Sequence, residues 1–223
     1  MDIDTAEYRS VPLFGGERVV TDMVKNGFIP KYVPGFYEGA AGWRFLELSS
    51  GILIPVRGMH GLIHGFQVRF DREGRSRYLT VSTGTKHSGA PAAGFIHIAG
   101  KVQRVMFVTE GVLKADVAHA LSGYPFIGLL GTSNWGALKQ TLMELKKQGL
   151  EVVVEAFDMD QNVNEGVRKG AEKVRRIISD CGLECRKMVW NPENKGIDEH
   201  YYMKLKEAKK DGTWEYMYVQ GEG

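Results

Sequence analysis

The chain has 223 residues, enough for one sizeable hydrophobic core or two smaller units, and its 43% apolar and 25% charged residues are ordinary for a globular protein. Its formal net charge of +2 excludes a strong overall field that would commit it to nucleic acid or to a membrane surface. No apolar run approaches the ~20 residues of a membrane span, and no secretory pattern opens the sequence. The two cysteines, Cys181 and Cys185, lack further partners at metal-ligand spacing, so we expect a reduced, cytoplasmic protein.

Residues 1–100 predict a small, β-rich α+β subdomain. The sequence favours a helix over 17–26 that ends at Gly27, followed by a loop through IPKYVPGFY. Four strand-like runs come next, and a glycine-flanked turn, GMHG, joins the second run to the third. The runs are WRFLEL, GILIPVR, LIHGFQVRF and SRYLTVS. A glycine-rich segment, GTKHSGAPAAG, follows them.

Three arginines recur at strand ends or at alternating strand positions of this subdomain: Arg57, Arg69 and Arg77. The planar guanidinium fork suits phosphate, which makes these side chains candidates for contact with a nucleotide or a nucleic-acid backbone. The alternative is that they are solvated charges on strand faces.

Residues 101–206 predict an α/β unit, and residues 207–223 a polar tail or the start of a linker. Apolar runs that end in polar or glycine residues are typical of buried strands. They alternate with helical spacing over 112–121, 135–147 and 163–180, which predicts a parallel sheet with crossover helices. The runs are VMFVTEG, GLLGTS, VVVEAFDMD and ECRKMVW. Ligands of such sheets lie just beyond the carboxyl ends of the strands.

Two carboxylates, Asp158 and Asp160, follow the apolar run VVVEAF with one residue between them. Two acids at a strand end can reach one cation, and hard divalent ions such as Mg²⁺ prefer oxygen ligands. A D-x-D pair is unspecific by itself, because Asp160 or Asn162 could instead cap the helix that begins near Val163.

Glu110 ends an earlier strand and precedes Gly111, where a helix opens. Its carboxylate can bind metal or move a proton, or it can simply complement the helix dipole. Lys114 lies four residues on and could pair with it. If the two strands are neighbours, Glu110 and the D-x-D acids converge on one place.

The turn Lys195-Gly196-Ile197-Asp198 follows the last strand. Asp198 could add an outer ligand to the acidic site and Lys195 could contact phosphate. A plain surface turn is the alternative.

The order of these motifs resembles the Toprim domain, which bacterial replicative primases share with topoisomerases and several nucleases. The resemblance extends upstream, where GILIPVRGMHGLIHGFQVRF and SRYLTVS are similar to the segment before Toprim in primase catalytic cores, and downstream, where KGIDEH is similar to the lysine and acid turn after it. The resemblance covers residues 43–200. The chain is also similar to the primase-like Toprim domains of phages and mobile elements, which are often fused to helicases.

The resemblance implies an α/β fold with a mostly parallel Toprim sheet flanked by helices, and Mg²⁺-dependent nucleotidyl transfer on single-stranded nucleic acid, with Mn²⁺ able to substitute. It implies single-stranded DNA and nucleoside triphosphates as partners, together with a helicase or zinc-binding domain. The implied catalytic and metal-binding residues are Glu110, Asp158 and Asp160, with Asp198 as a further metal ligand. The implied nucleotide-binding residues are Arg57, Arg69, Arg77, Lys86 and Lys195.

The sequence departs from the primase pattern at three positions. Lys114 stands where primases usually have a further aspartate, Gly196 replaces the first acid of the downstream turn, and Met159 replaces a glycine. Two alternatives therefore stay open. The acids could serve phosphodiester cleavage, as in Toprim nucleases, or the chain could be a non-catalytic nucleic-acid-binding module with a degenerate metal site.

Overall fold

The computed structural model describes residues 6–11, 16–71, 77–92, 94–131, 135–159 and 165–210. They belong to two compact units. The first, which we call the antiparallel unit, lies within Asp2–Arg57 and Leu62–Phe95. The second, the α/β unit, comprises Gly58–Gly61 and the chain from Ile96 onward.

The antiparallel unit contains one helix and six strands among its described residues. They are β1 (Arg9–Ser10), α1 (Gly16–Lys25), β2 (Phe36–Gly39), β3 (Gly42–Phe45), β4 (Gly51–Arg57), β5 (Ile63–Phe70) and β6 (Tyr78–Thr80). Four strands form an antiparallel sheet in the order β1-β4-β5-β6, and β2 pairs with β3 in a hairpin. Apolar side chains that alternate along β5 enter its core, where fully buried Val68 packs with Val81 and with Leu53 of β4. A separate antiparallel, β-rich part is therefore present, as the sequence predicts.

The α/β unit contains a five-stranded sheet in the order β11-β10-β8-β9-β7. Four strands run parallel, and β7 is antiparallel to β9 at one edge. The mixed α/β class and the mostly parallel sheet are therefore as the sequence predicts. The elements are β7 (Ile96–Ala99), β8 (Val105–Glu110), α2 (Val112–Ser122), β9 (Phe126–Leu129), α3 (Trp135–Lys147), β10 (Val152–Glu155), α4 (Glu165–Asp180), β11 (Glu184–Lys187) and α5 (Ile197–Lys210).

Alternate side chains of the sheet strands point to two separate cores. On one face, Met106 and Val108 of β8 share a cluster with Leu142 of α3 and Val174 of α4. On the other face, Phe126 of β9 packs in a second cluster with α2 and α5. The sheet is thus covered on both sides, which explains why its strands are continuous apolar runs in the sequence.

Two elements of this unit do not correspond to any predicted element. The strand β7 lies in the segment assigned to the N-terminal subdomain, yet all four of its residues are buried at the edge of the α/β sheet. The helix α5 begins in the predicted surface turn and continues to Lys210. It packs Ile197, Tyr201 and Ala208 inward, and α2 is its neighbour. Its acids in the first turn and lysines in the last turn complement the helix dipole.

Candidate functional site

Glu110 and Asp158 lie at the carboxyl edge of the parallel sheet, beyond two neighbouring strands. In the ladder between β8 and β10, Val108 is opposite Glu155, and the amide of Ala156 donates to the Val108 carbonyl at 2.9 Å. Glu110 is the last residue of β8, and Asp158 follows β10 by three residues. Asp158 is buried and Glu110 half-buried. The expected adjacency of the two acid-bearing strands is therefore present, whereas Asp160 lies outside the described residues.

Lys114 on α2 reaches across to the end of β10. Its ammonium donates to Oδ1 of Asp158 in an ion pair whose two side chains are only 20% and 11% exposed. The sequence offered Glu110 as a partner for this lysine at helical spacing. The pairing with Asp158 arises because β10 is the neighbour of β8, which places Asp158 beside the first turn of α2.

Asp198 and the turn that precedes α5 lie at the same place as Lys114 and Asp158. The Met159 amide donates to the Lys195 carbonyl at 3.0 Å, which ties the end of the β10 segment to the turn before α5. Gly196 is buried, and a Cβ atom added to it would lie 3.2 Å from Cε and 3.3 Å from Nζ of Lys114. Burial raises the pKa of Asp198, the Lys114 ammonium opposes this rise, and the Asp158 carboxylate adds to it.

These residues surround an open cleft with a volume of about 490 Å³. Its lining residues are Lys114, Val117, Asp158, Lys195, Gly196, Asp198, Glu199 and Tyr202. Tyr202 was not singled out from the sequence. It is 55% exposed while its neighbour Tyr201 is buried, so the helical phase of α5 puts one aromatic ring in the core and the other at the cleft. The sequence around Tyr201 and Tyr202 does not predict a helix, and without the helix nothing distinguishes the buried ring from the exposed one.

The donors at this edge have the oxygen chemistry that Mg²⁺ and Mn²⁺ prefer. Within the residues that the structure describes, however, no group of three His, Cys, Asp or Glu side chains is placed to hold a metal ion. One oxygen of Asp158 already accepts a hydrogen bond from Lys114. The described donors fit part of a divalent-ion site, and a complete set would require Asp160.

Of the basic candidates, Lys195 lies with the acids, and the other four lie in the antiparallel unit. Arg57 forms an ion pair with Glu7, and Arg69 of β5 is half-buried and lies opposite Tyr78. Arg77 is exposed, and the ammonium of Lys86, also exposed, lies 5.5 Å from the ring centroid of Tyr37.

A second buried carboxylate on β10 has a structural partner. Glu155 is fully buried, and its Oε2 accepts a hydrogen bond from Nη1 of Arg175 on α4 at 2.6 Å. No motif marks Glu155 as a functional residue, and its one signal in the sequence is that it is an acid inside the apolar run VVVEAF.

Comparison with solved structures shows that the chain has the fold of the RNA polymerase domains of bacterial primases. The match to the structure of the Aquifex aeolicus primase (zinc-binding and RNA polymerase domains) covers 97% of this chain, with 18% identity and a TM-score of 0.67. The RNA polymerase domain of Mycobacterium tuberculosis primase DnaG matches 96% of this chain at 15% identity with a TM-score of 0.65. The DnaG primase catalytic domain bound to ssDNA matches 98% at 15% identity with a TM-score of 0.55.

The chain spans 52% of the Aquifex aeolicus chain, 70% of the Mycobacterium tuberculosis domain and 66% of the ssDNA-bound domain. Residues 97–208, half of the sequence, match the family model described as Domain of unknown function (DUF3854), and the chain belongs to this family. No curated protein matches the sequence. Among the described helices, none is both long enough and apolar enough to cross a membrane.

Proposed function

We propose that this chain is a primase-like catalytic core that carries out Mg²⁺-dependent nucleotidyl transfer on single-stranded nucleic acid, with its α/β unit as a Toprim domain. One observation carries the proposal: in a chain with the fold of primase polymerase domains, Glu110 and Asp158 lie at the carboxyl ends of adjacent parallel strands. Ligands of parallel α/β sheets bind at this edge.

In this proposal Glu110, Asp158 and Asp160 would hold the divalent ion, Mg²⁺ or Mn²⁺, and Asp198 would be a further ligand. When bound, the ion supplies positive charge that offsets the charge of a triphosphate. Glu110 would either be a further ligand of the ion or accept a proton from an attacking hydroxyl group, the general-base role.

The remaining residues bind the substrates. Lys195 borders the acidic cleft and is the candidate for contact with a phosphate of the nucleoside triphosphate. The exposed ring of Tyr202 offers a face on which a base can stack. The basic residues of the antiparallel unit then contact the triphosphate or the single-stranded DNA template; they are Arg57, Arg69, Arg77 and Lys86.

The proposal includes further domains and a cellular role. A zinc-binding or helicase domain would act with this core, either in the same polypeptide or as a partner. The role would be DNA replication or the maintenance of a phage or mobile element, in the cytoplasm. The proposal of an accompanying zinc-binding domain is supported by the Aquifex aeolicus structure, which contains both zinc-binding and RNA polymerase domains.

The Lys114–Asp158 ion pair favours a second candidate function, a nucleic-acid-binding module without catalysis. A lysine bonded to a central acid reduces the negative charge available for metal. Under this alternative the cleft and the basic residues bind single strands, and no turnover follows.

A single set of assays separates these functions. The protein is incubated with single-stranded DNA and labelled nucleotides in Mg²⁺, in Mn²⁺ and in EDTA. Metal-dependent, template-dependent products longer than a dinucleotide support the proposal. Shortened DNA with no synthesis would replace it with a nuclease, and DNA binding that persists in EDTA without either reaction would replace it with the binding module.

A further inference from the structure

We propose that the Lys114 ammonium is a built-in cation of the acidic cleft. It permanently takes a position beside Asp158 that a divalent ion would otherwise occupy, so that the cleft binds at most one divalent ion. The inference rests on the proposed function only in assuming that metal binds at this edge. It does not require nucleotidyl transfer.

Two carboxylates of the cleft are largely removed from water. Asp158 is 8% exposed, and Asp198 is half-buried and lines the same cleft. Two carboxylates removed from water and close to each other require a cation. Lys114 supplies one through its direct bond to Asp158, and its positive charge also acts on Asp198.

Lys114 has an electrostatically unfavourable position in its own helix. It is the third residue of α2, and the first turn of α2 contains no acidic residue. A cation there faces the positive end of the helix dipole, which is unfavourable. Nothing in α2 itself accounts for a lysine at this position, whereas the carboxylate of Asp158 does.

The space around the Lys114 side chain is limited by Gly196. Gly196 is in close contact with it, since a Cβ atom at 196 would lie within 3.3 Å of both Cε and Nζ. The same Cβ would collide with Oδ1 of Asp198. The two positions at which the acidic primase pattern is lost, 114 and 196, are therefore neighbours. A larger side chain at 196 would compete with the lysine for one volume, so the two changes form a single feature.

A covalently attached cation has consequences that a dissociable ion lacks. It remains when metal is chelated, so the cleft keeps its shape in EDTA. It also carries one charge, and it competes with any divalent ion for the oxygens of Asp158.

The test compares Lys114→Met with Lys147→Met as the matched control. Lys147 also pairs with an acid on a helix of this unit, Glu144 at 2.7 Å, but both side chains are well exposed. Thermal unfolding is measured in EDTA and in Mn²⁺, and bound Mn²⁺ is counted by electron paramagnetic resonance. We expect Lys114→Met to lose several degrees of Tm in EDTA, to recover most of that loss in Mn²⁺, and to bind Mn²⁺ about tenfold more tightly than the wild type, the ratio that 1.4 kcal/mol produces. The control should resemble the wild type.

Two further variants keep the test decisive if Lys114→Met folds poorly. Lys114→Arg retains the charge and should keep most of the stability. Lys114→Met/Asp158→Asn removes both charges and should be more stable in EDTA than Lys114→Met alone, with no response to Mn²⁺.

The wild-type protein gives an independent result, because one bound Mn²⁺ or none is expected. Two or more ions, or a Lys114→Met protein whose stability in EDTA equals that of the control, would overturn the inference. None of these measurements requires primer synthesis. A wild type that makes no primers but shows this pattern would reject the proposed function and leave the inference standing.

Discussion

The guanidinium of Arg175 donates to the fully buried carboxylate of Glu155 and thereby joins α4 to strand β10. A buried acid is stable in a sheet only when it is paired, and this pair holds α4 against the strand that leads to Asp158. The position of Asp158 thus depends in part on the ion pair between Glu155 and Arg175, although neither of these residues lines the cleft.

Replacing Arg175 by Met should lower the free energy of unfolding by about 2 kcal/mol, because it leaves Glu155 buried and unpaired. This figure is below the full value for a buried pair, since Arg175 is 35% exposed. Arg186→Met breaks the exposed pair with Glu184 on β11 and should leave stability almost unchanged, because solvent screens that pair. Urea denaturation measures both. Equal effects of the two variants would contradict the structural role of Glu155.

Gly111 has a backbone conformation, φ 85° and ψ 148°, that side-chain-bearing residues avoid. A Cβ there would meet open space, so Gly111→Ala should destabilise by about 1–3 kcal/mol through backbone strain alone. Gly136 on α3 also faces open space but has no positive φ. Gly136→Ala should therefore be neutral or stabilise by up to about 1 kcal/mol. A stable Gly111→Ala protein would show that β8 and α2 can be joined in another conformation.

His200 predicts a specific pH dependence of stability. Burial lowers its pKa below the ordinary 6.5, Lys204 adds to the fall, and Nε2 has no hydrogen-bond partner among the described residues. The unfolded chain therefore takes up the proton more readily than the folded protein. The stabilising contribution is present above pH 6.5 and is lost as the pH falls through the lowered pKa of the folded state.

The comparison variant is His200→Phe, which keeps a ring beside Trp190 but cannot titrate. Between about pH 8 and about pH 5.5, the Tm of the wild type should fall by more than that of the variant. If the difference between the two proteins stays constant with pH, the assignment of a neutral, half-buried His200 is wrong.

Tyr202 should contribute to nucleic-acid binding without contributing to stability. Stacking on an aromatic ring is worth about 1–3 kcal/mol per base, so Tyr202→Ala should weaken binding of single-stranded DNA at least about fivefold. Tyr202→Phe keeps the ring face and should bind like the wild type. Fluorescence anisotropy with a labelled oligonucleotide measures both, and unchanged Tm values show that the fold is intact. Equal affinity of the Ala and Phe variants would remove Tyr202 from the binding site.

Much of the architecture could be predicted from local patterns. The run GILIPVR is strand β4 and WGALKQTLMELKK is helix α3, because each has the periodicity of its structure and a clear boundary. The rules of parallel sheets placed Glu110 and Asp158 beyond the carboxyl ends of their strands, whereas the adjacency of β8 and β10 depends on the order of the strands in the sheet. The helix α5 was not predicted because its start lies in a polar, glycine-containing segment that also has the composition of a turn.

The Lys114–Asp158 pair could not be predicted from sequence spacing. The two residues are 44 positions apart, and helical spacing offers Lys114 only local partners such as Glu110. The order of β8 and β10 in the sheet decides the pairing. For the same reason the sequence showed that positions 114 and 196 depart from the acidic pattern, but only the fold shows that they are neighbours.

The central claim is that the acidic edge of the α/β unit supports metal-dependent nucleotidyl transfer. The most direct measurement is template-dependent nucleotide incorporation by Asp158→Asn, compared with the wild type and with Asp180→Asn, a change to an exposed acid at the end of α4. The account predicts that Asp158→Asn loses at least about a hundredfold in rate, equivalent to about 2.7 kcal/mol of transition-state stabilisation, while Asp180→Asn retains wild-type activity. Undiminished incorporation by a folded Asp158→Asn protein would contradict it.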